Sequence, residues 1–211
     1  MKVSVRPARL SDCEGMLKLY APYVEETAIS FEYEIPTLSE FQERFRSISG
    51  WFPWLLCEVE GELAGYAYAS AAFERAAYQW DADLSVYLSP RFHRLGIASQ
   101  FYGCLEQLLA LQGYFKLYAL VTSENERSLK FHRARGFQEV ATFQRTGYKF
   151  GRWHGVTWLE RDIGGSEFPE AAPCAFSQVE PGAVENILAR AAEQLEARLL
   201  AGGPGERRET P

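Results

Sequence analysis

The sequence predicts a mixed α/β (α+β) fold: a mostly antiparallel sheet of about six or seven strands, flanked by helices and followed by a C-terminal helical tail. A strand, a helix and a second strand follow one another over residues 80–122, which is typical of a crossover between parallel neighbours. The other strand candidates are joined by short turns, which favours antiparallel hairpins. A change in composition then separates a domain at 1–163 from a tail at 164–211.

The composition narrows the possible partners. The 211 residues suffice for one domain with an appendage, and 47% hydrophobic residues are enough for a sizeable core. A formal net charge of −6 disfavours nucleic acid and anionic membranes as partners. Any phosphate site must therefore be local.

Two features predict a cytoplasmic protein. The chain has neither a signal-like segment at its start nor an apolar run long enough to span a membrane. Its cysteines lack metal-ligand spacing, so we expect reduced thiols and no metal site. They are Cys13, Cys57, Cys104 and Cys174.

The first half of the domain contains three strand candidates and two helices. The strands lie at 2–6, 54–59 and 63–72. The turn Glu60–Gly61 joins the last two into a hairpin. The motif SDCE, beginning at Ser11, is typical of a capping box and predicts a helix to about Val24. The motif TLSE at 37–40 predicts a second helix in the same way.

The second half alternates strands with helices. Its strand candidates lie at 80–88, 115–122, 137–145 and 148–161. Helices over 97–112 and 126–135 separate the first three strands, and each ends at a glycine, Gly113 or Gly136. Thr146–Gly147 predicts the turn of the last hairpin.

The stretch SPRFHRLGIASQFY at 89–102 is typical of a strand that turns into a helix at one glycine, Gly96. The free N–H groups and the dipole of a helix start suit a phosphate, and a residue without a side chain lets the ligand approach the backbone. Arg91 and Arg94 can pair with phosphate oxygens, while Ala98 is small and Ser99 adds a hydroxyl. By itself the pattern also fits a solvated corner, because dinucleotide and Walker A fingerprints are both absent.

Several motifs together resemble one enzyme family. The segment from His93 to Ala98 resembles motif A of the GNAT superfamily of N-acetyltransferases, [Q/R]-x-x-G-x-[G/A], with histidine in the first position. NERSLKFHRARGF at 125–137 is similar to the second motif of that family. SVYLSPRFHRLGIAS and GYKFGRWHGV look like the phosphinothricin and methionine sulfoximine N-acetyltransferase branch, and ISFEYEIPT does so at lower fidelity. The resemblance spans residues 1–163.

The resemblance implies acetyl-CoA as the co-substrate. The loop before Gly96 would hold its pyrophosphate through backbone N–H groups, and the strand at 86–88 would pair with its pantetheine arm. Asn125 and Ser128 would hydrogen-bond the cofactor, although asparagine is also a good helix cap. The implied cofactor-binding residues are Val86, Tyr87, Leu88, Arg91, Arg94, Leu95, Gly96, Ile97, Ala98, Ser99, Asn125 and Ser128.

Asp83 and His132 are the implied catalytic residues. An alkylamine has a pKa of about 10, so acetyl transfer benefits from a base. Asp83 shares a strand face with Asp81 and matches a glutamate of the branch, so its shorter side chain is expected to act through a water. His132 matches the residue that protonates the leaving thiolate. A capping or solvated aspartate and a packed histidine are the alternatives.

Three further residues match the acceptor pocket of the branch. They are Phe31, Arg75 and Tyr78, which would act beside Asp83. An arginine suits a carboxylate or phosphinate acceptor, and a solvated loop charge is the alternative. Trp153 and His154 are interpreted as structural aromatics at a strand edge or dimer contact.

These residues predict an acetyl-CoA-dependent N-acetyltransferase for the amine of a small amino-acid-like substrate, of the phosphinothricin or methionine sulfoximine type. One alternative is the same chemistry on a polyamine, an aminoglycoside or a protein N-terminus. Another is a CoA-binding module without turnover, which the departures at His93 and Asp83 would permit.

The tail is predicted to contribute assembly or stability and no catalytic group. Linker-like GGSEFPEAAP and a disordered GGPGERRETP enclose an amphipathic helix at 183–200. Its apolar stripe consists of Val184, Ile187, Leu188, Ala191, Leu195 and Leu199. Such a stripe has to pack on its own domain or across a two-fold interface, and we predict a homodimer.

Overall fold

The computed structural model describes residues 1–164, 169 and 171–201. Seven strands form one sheet in the order β1-β2-β3-β4-β5-β7-β6. They are β1 (Val3–Pro7), β2 (Trp54–Val59), β3 (Glu62–Ala71), β4 (Asp81–Leu88), β5 (Lys116–Thr122), β6 (Gln138–Lys149) and β7 (Arg152–Asp162). The helices are α1 (Cys13–Glu25), α2 (Leu38–Ser49), α3 (Ile97–Gln112), α4 (Glu126–Ala134) and α5 (Pro181–Ala201). The predicted mixed, mostly antiparallel sheet is confirmed.

The sheet splits between its two parallel strands. β4 pairs with β5 only from Asp81↔Lys116 to Asp83↔Tyr118, whereas β3 pairs with β4 as far as Leu88. Beyond Asp83 the two parallel strands therefore separate, and a gap opens in the middle of the sheet. α3 begins close to the open end of this gap.

Two apolar clusters cover the faces of the sheet. On one face, α3 and α5 pack on the strands through side chains such as Leu105, Leu108 and Leu195. On the other face, α1 and α2 enclose an aromatic cluster that includes Trp54 and Tyr66. The cysteines are free thiols, three of them buried.

The two N-terminal helices begin differently from one another. Before α2, Thr37 N–H donates to Glu40 Oε2 at 2.7 Å and Thr37 Oγ1 accepts from Glu40 N–H at 3.3 Å, which is the predicted capping box. The predicted box at Ser11 is wrong. Asp12 instead accepts from Arg9 N–H at 2.7 Å and pairs with Arg6, so a 3₁₀ turn precedes α1.

The last hairpin turns later than predicted. Phe150 and Gly151 form the turn, with φ angles of 51° and 74°. Thr146–Gly147 instead lies in β6, at a register shift against β7. A Cβ atom at Gly147 would lie 2.5 Å from the Phe31 ring. The glycine is thus required for a close approach to that ring rather than for the turn.

The tail helix packs on its own domain. Leu188, Ala191 and Leu195 are buried against the main core, and α5 contacts β1 and α3. Glu196 Oε1 accepts from Val3 N–H at 2.7 Å. The stripe that suggested a homodimer is therefore covered within one chain.

Part of the predicted linker, at 165–168 and 170, and the predicted disordered end at 202–211 lie outside the described residues. Within the parts of the chain that are described, no helix is both long and apolar enough to cross a membrane.

Candidate active site

Two adjoining cavities follow the gap in the sheet. The larger, of about 400 Å³, lies between the end of β4, the start of α3 and the start of α4. The smaller, of about 80 Å³, lies in the gap itself, between residues 84–87 of β4 and 119–122 of β5. Ile29, Val86, Asn125 and Ser128 line both cavities, so the two form one continuous groove.

The start of α3 forms a cradle in the larger cavity. Gly96 has a φ of 93°, which favours glycine, and it turns the chain into a helix of 16 residues. The first N–H groups of α3 have no partner within the helix, and the dipole makes this end positive. Ala98 and Ser99 line the same wall. The cradle therefore suits an anionic group such as a phosphate.

Most of the predicted cofactor-binding residues lie along the groove. Those that line the larger cavity are Val86, Leu88, Arg94, Gly96, Ile97, Ala98, Ser99, Asn125 and Ser128, and Tyr87 lines the smaller one. Two predicted residues lie elsewhere. Arg91 is exposed and forms an ion pair with Glu62. Leu95 packs against the main core.

Sequence reasoning did not assign several residues of the larger cavity. These are Tyr23, Ile29, His93, Arg127, Phe131 and Arg198. Tyr23 donates its hydroxyl proton to Leu88 O at 2.6 Å. The hydroxyl oxygen of Tyr23 also accepts from Leu88 N–H at 3.2 Å. The backbone of Leu88 is thus already engaged. His93, Arg127 and Phe131 lay within recognised motifs without being assigned a role. Ile29 lay within the lower-fidelity match, and the other two lay outside these stretches.

His132 forms a buried hydrogen-bonded pair with Tyr102. His132 Nδ1 lies 2.8 Å from Ser128 O, which can only accept, so this nitrogen carries the proton of the neutral ring. Nε2 then accepts from the Tyr102 hydroxyl at 2.7 Å. Burial lowers the pKa of His132 and raises that of Tyr102, which favours the neutral form of both. The hydroxyl at the gap therefore belongs to a tyrosine that the sequence analysis missed.

Asp83 lies where the pairing of β4 with β5 ends. Burial raises the pKa of Asp83 to about 7, against a hydrogen bond from the Leu84 backbone that lowers it. Its Oδ1 is covered and has no hydrogen-bond partner among the described residues. A half-buried carboxyl with a covered, unused oxygen and such a pKa is suited to exchange a proton near neutral pH.

Asp81 differs from Asp83 although both side chains share one strand face. Desolvation raises the pKa of Asp81, while the nearby Lys116 lowers it. Lys116 also pairs with Glu160 and Asp162. Asp81 thus belongs to a surface cluster of mixed charge. Within the described part of the chain, Asp83 has no such cation beside it, and desolvation is the main cause of its raised pKa.

Aromatic rings lead from the β3–β4 loop to the end of the β4–β5 pairing. Tyr78 packs on Phe73 with centroids 4.9 Å apart. Phe73 in turn contacts Tyr118 at 5.4 Å, and Tyr118 lies opposite Asp83 in the sheet. Arg75 precedes Tyr78 in the same loop and is exposed. Tyr78 and Arg75 thus lie on the approach to Asp83, outside both cavities.

Phe31 lies at the other side of the groove, against the β6–β7 hairpin. Its ring packs against Gly147 and lies 6.1 Å from the ring of His154. His154 is buried, with Nε2 3.2 Å from Lys149 O, while Trp153 is exposed. Phe31 therefore forms a wall beside the groove and does not line either cavity.

The fold and the groove define an acyltransferase of the acetyl-CoA-dependent type. Residues 5–158 match the acetyltransferase (GNAT) domain, and the chain belongs to this family. It is an N-acetyltransferase, as predicted. Among the described residues, no group of three or more His, Cys, Asp or Glu side chains is placed to hold a metal ion.

Three relatives carry informative names. The chain is 34% identical over 161 residues, 76% of its length and 88% of the relative, to phosphinothricin N-acetyltransferase of Streptomyces viridochromogenes. It is 26% identical over 165 residues, 77% of its length and 96% of the relative, to L-methionine sulfoximine/L-methionine sulfone acetyltransferase of Pseudomonas paraeruginosa. A solved phosphinothricin acetyltransferase from Sinorhizobium meliloti, in complex with AcCoA, is similar with a TM-score of 0.76 and 29% identity, over 86% of this chain and 97% of that one.

Proposed function

We propose that the protein transfers the acetyl group of acetyl-CoA to the amine of a small amino-acid-like acceptor, of the phosphinothricin or methionine sulfoximine type. One observation carries the proposal: the anion cradle at Gly96 and the half-buried carboxyl of Asp83 lie at opposite ends of one split in the sheet. The names of the relatives in Streptomyces and Pseudomonas support the acceptor class. The AcCoA complex of the Sinorhizobium protein supports the co-substrate.

The residues of this chain divide the chemistry between the ends of the groove. Bound acetyl-CoA supplies an activated acyl group. The cradle at Gly96 holds phosphate, and β4 aligns the reacting end in the gap. Asp83 accepts the amine proton as the new amide forms, either directly or through a water.

Asp83 also supplies the proton that the leaving thiolate takes up. A thiol has a pKa of about 8.5, so the proton that Asp83 has accepted passes downhill to the departing sulfur. The Tyr102 hydroxyl lies at the gap and gives its only proton to Nε2 of His132, so toward the gap it can only accept a hydrogen bond, from the amine N–H or from a water. Its raised pKa makes it a poor proton donor, and the hydrogen bond to His132, which lines the same small cavity, fixes the hydroxyl. In this proposal His132 is a positioning residue rather than the acid.

An acceptor panel tests the proposal. Free thiol release from acetyl-CoA would be measured with phosphinothricin, methionine sulfoximine, methionine sulfone, a polyamine, an aminoglycoside and a short peptide. We expect turnover with the first three and little with the cationic amines, because Arg75 repels them and the charge of nearby Lys116 offsets that of Asp81. Preference for a polyamine, an aminoglycoside or the peptide would contradict the acceptor class. Acetyl-CoA binding without thiol release would indicate a module without turnover.

We also propose a cytoplasmic homodimer. The free thiols support a reducing compartment. Because α5 is covered, support for a dimer comes from the tip of the β6–β7 hairpin, where Tyr148, Phe150 and Trp153 are 48%, 57% and 56% exposed. Sedimentation of the protein and of Trp153→Ser tests this: a dimer that the substitution weakens supports it, and a monomeric wild type contradicts it.

A further inference from the structure

The last helix of the chain reaches the phosphate cradle. A Cβ atom at Gly96 would lie 3.0 Å from Nη1 and 3.1 Å from Cζ of Arg198, so this guanidinium lies directly over the cradle. Arg198 also lines the larger cavity. It belongs to α5, beyond the residues 5–158 that match the acetyltransferase domain.

The position of Arg198 is set by the packing of the turn before it. Leu195 is 1% exposed in the main core, and Glu196 accepts from the backbone of Val3 at 2.7 Å. Gln194 bonds to Gln100 of α3 at 3.0 Å. These contacts fix α5 against the helix whose start forms the cradle. The guanidinium is therefore held at this site by its own helix.

Positive charge converges on this one cavity. Arg94, Arg127 and Arg198 all line it, and none forms an ion pair with a carboxylate of the described residues. Arg127 lies 3.0 Å from His93, whose pKa burial and the same arginine both lower. The start of α3 adds the positive end of its dipole. Three guanidiniums in one cavity favour the binding of a polyanion. This local excess of positive charge contrasts with the net charge of −6 for the whole chain.

We propose that Arg198 is a cofactor-binding residue, through which the tail helix contributes a third guanidinium to the phosphates of acetyl-CoA. The inference rests on the proposed function and deepens it. It adds a binding role to the expectation that the tail contributes stability or assembly and no catalytic group. The acetyl-CoA site then includes a part of the chain outside the acetyltransferase domain, and Arg198 carries no step of the chemistry itself.

Substitutions within α5 test the proposal with the full-length protein. Acetyl-CoA affinity would be measured by calorimetry for the wild type, Arg198→Gln, Arg198→Lys and the control Arg190→Gln, which is exposed on the same helix and does not line the cavity. We expect Arg198→Gln to bind about two- to fivefold more weakly at low salt, as for an exposed charge pair. Arg198→Lys should lose less of the affinity for acetyl-CoA, and Arg190→Gln should lose none. The difference should shrink at high salt, and melting temperatures should be unchanged.

The same titrations with 3′-dephospho-acetyl-CoA identify the phosphate. A loss for Arg198→Gln that disappears with this ligand assigns Arg198 to the 3′-phosphate, and a loss that persists assigns it to the pyrophosphate. Equal affinity of Arg198→Gln and wild type would overturn the proposal, and tighter binding would show that the arginine obstructs the cradle. A wild type that does not bind acetyl-CoA at all would instead reject the proposed function.

Discussion

At the scale of single residues, Asp83 illustrates how the end of a strand pairing creates a reactive group. The carboxyl follows a β4–β5 ladder that stops beside it, and its Oδ1 is covered without a partner in the described parts of the chain. Burial raises its pKa to about 7. An acid of this pKa is about half ionised at neutral pH, so it can both accept and return a proton.

The pH dependence of turnover should follow this carboxyl. Asp83 accepts a proton only when ionised, so kcat/KM should rise as the pH passes through about 7. Asp83→Asn should lower turnover by about 100-fold or more and abolish this rise, with acetyl-CoA affinity kept. Asp81→Asn, on the same strand face, is the control and should change little. An unaltered pH profile in Asp83→Asn would assign the base to solvent.

Asp83→Asn should also stabilise the protein relative to the wild type, and this gain should grow as the pH rises. The pKa of the carboxyl is 3.8 when it is exposed and about 7 in the folded protein. Between these values the folded protein holds a proton that the unfolded chain has lost, so the free energy of unfolding falls as the pH rises, by up to about 4 kcal/mol. Asn cannot ionise and escapes this loss. The gain in Tm of Asp83→Asn over wild type should therefore grow from pH 5 to pH 8, and parallel curves would contradict it.

Tyr102→Phe separates the two members of the buried pair. The substitution keeps the ring, removes the hydroxyl that faces the gap and leaves Nε2 of His132 without its partner. We expect a lower kcat at unchanged acetyl-CoA affinity, and a loss of about 1 kcal/mol in stability. Steady-state kinetics and calorimetry provide the measurements. An unchanged kcat would restrict Tyr102 to a structural role.

At the scale of elements, one lysine connects the last hairpin to the end of α1 and the loop between α1 and α2. Lys149 lies at the end of β6 and is buried, and its ammonium donates to the backbone oxygens of Val24, Thr27 and Ser30 at 2.6, 2.9 and 2.6 Å. The C-terminal end of α1 and the start of the loop that carries Phe31 are thus held by one side chain. A cation also suits the negative end of a helix.

Lys149→Met should therefore loosen this loop. It keeps the aliphatic stem but leaves three carbonyl groups without a donor, at a cost of about 2–4 kcal/mol. Because the loop carries Phe31, the KM for the acceptor should rise more than that for acetyl-CoA. Urea unfolding and kinetics measure the two effects. The control is Lys18→Met at an exposed position, which should lower the free energy of unfolding by less than about 0.5 kcal/mol. Equal stability of both variants would contradict the role of Lys149.

Turns and caps show where local patterns mislead. Thr146–Gly147 looks like a turn by residue type, yet Gly147 is required by a ring from residue 31, which local sequence cannot reveal. The capping box at Ser11 does not form, because Asp12 accepts from Arg9 N–H and places Ser11 inside a 3₁₀ turn, while the Glu14 carboxylate accepts from Lys18. By contrast, the box at Thr37 depends only on residues within one turn, and its prediction is correct.

A substitution at Gly96 would be a less specific test of the phosphate cradle. Gly96→Val would place a β-branched residue at a φ of 93° as well as block the cradle. Lost affinity in that variant could come from either cause. The substitutions at Arg198 avoid this strain because they lie on a helix.

At the scale of the whole molecule, the sequence patterns predicted the kind of sheet, its seven strands and the turn into α3 at Gly96, while the cofactor-binding role of that turn remains a proposal. Those features depend on periodicity and on motifs that are continuous in the chain. The sequence patterns could not predict the pairing of Tyr102 with His132 or of Arg198 with Gly96, because folding alone brings these residues together. The stripe of α5 was correctly predicted to need a partner, but amphipathic spacing does not say which surface supplies it.

The closure of the main core by α5 has a consequence for how the protein is made. Leu195 and Arg198 follow the acetyltransferase domain in the chain, so the nascent domain has neither its full core nor this arginine until α5 has been synthesised. With Arg198 in the proposed role, co-substrate binding also depends on the synthesis of α5. A message truncated after the domain would then yield a product that retains every residue of the recognised motifs and still binds acetyl-CoA poorly.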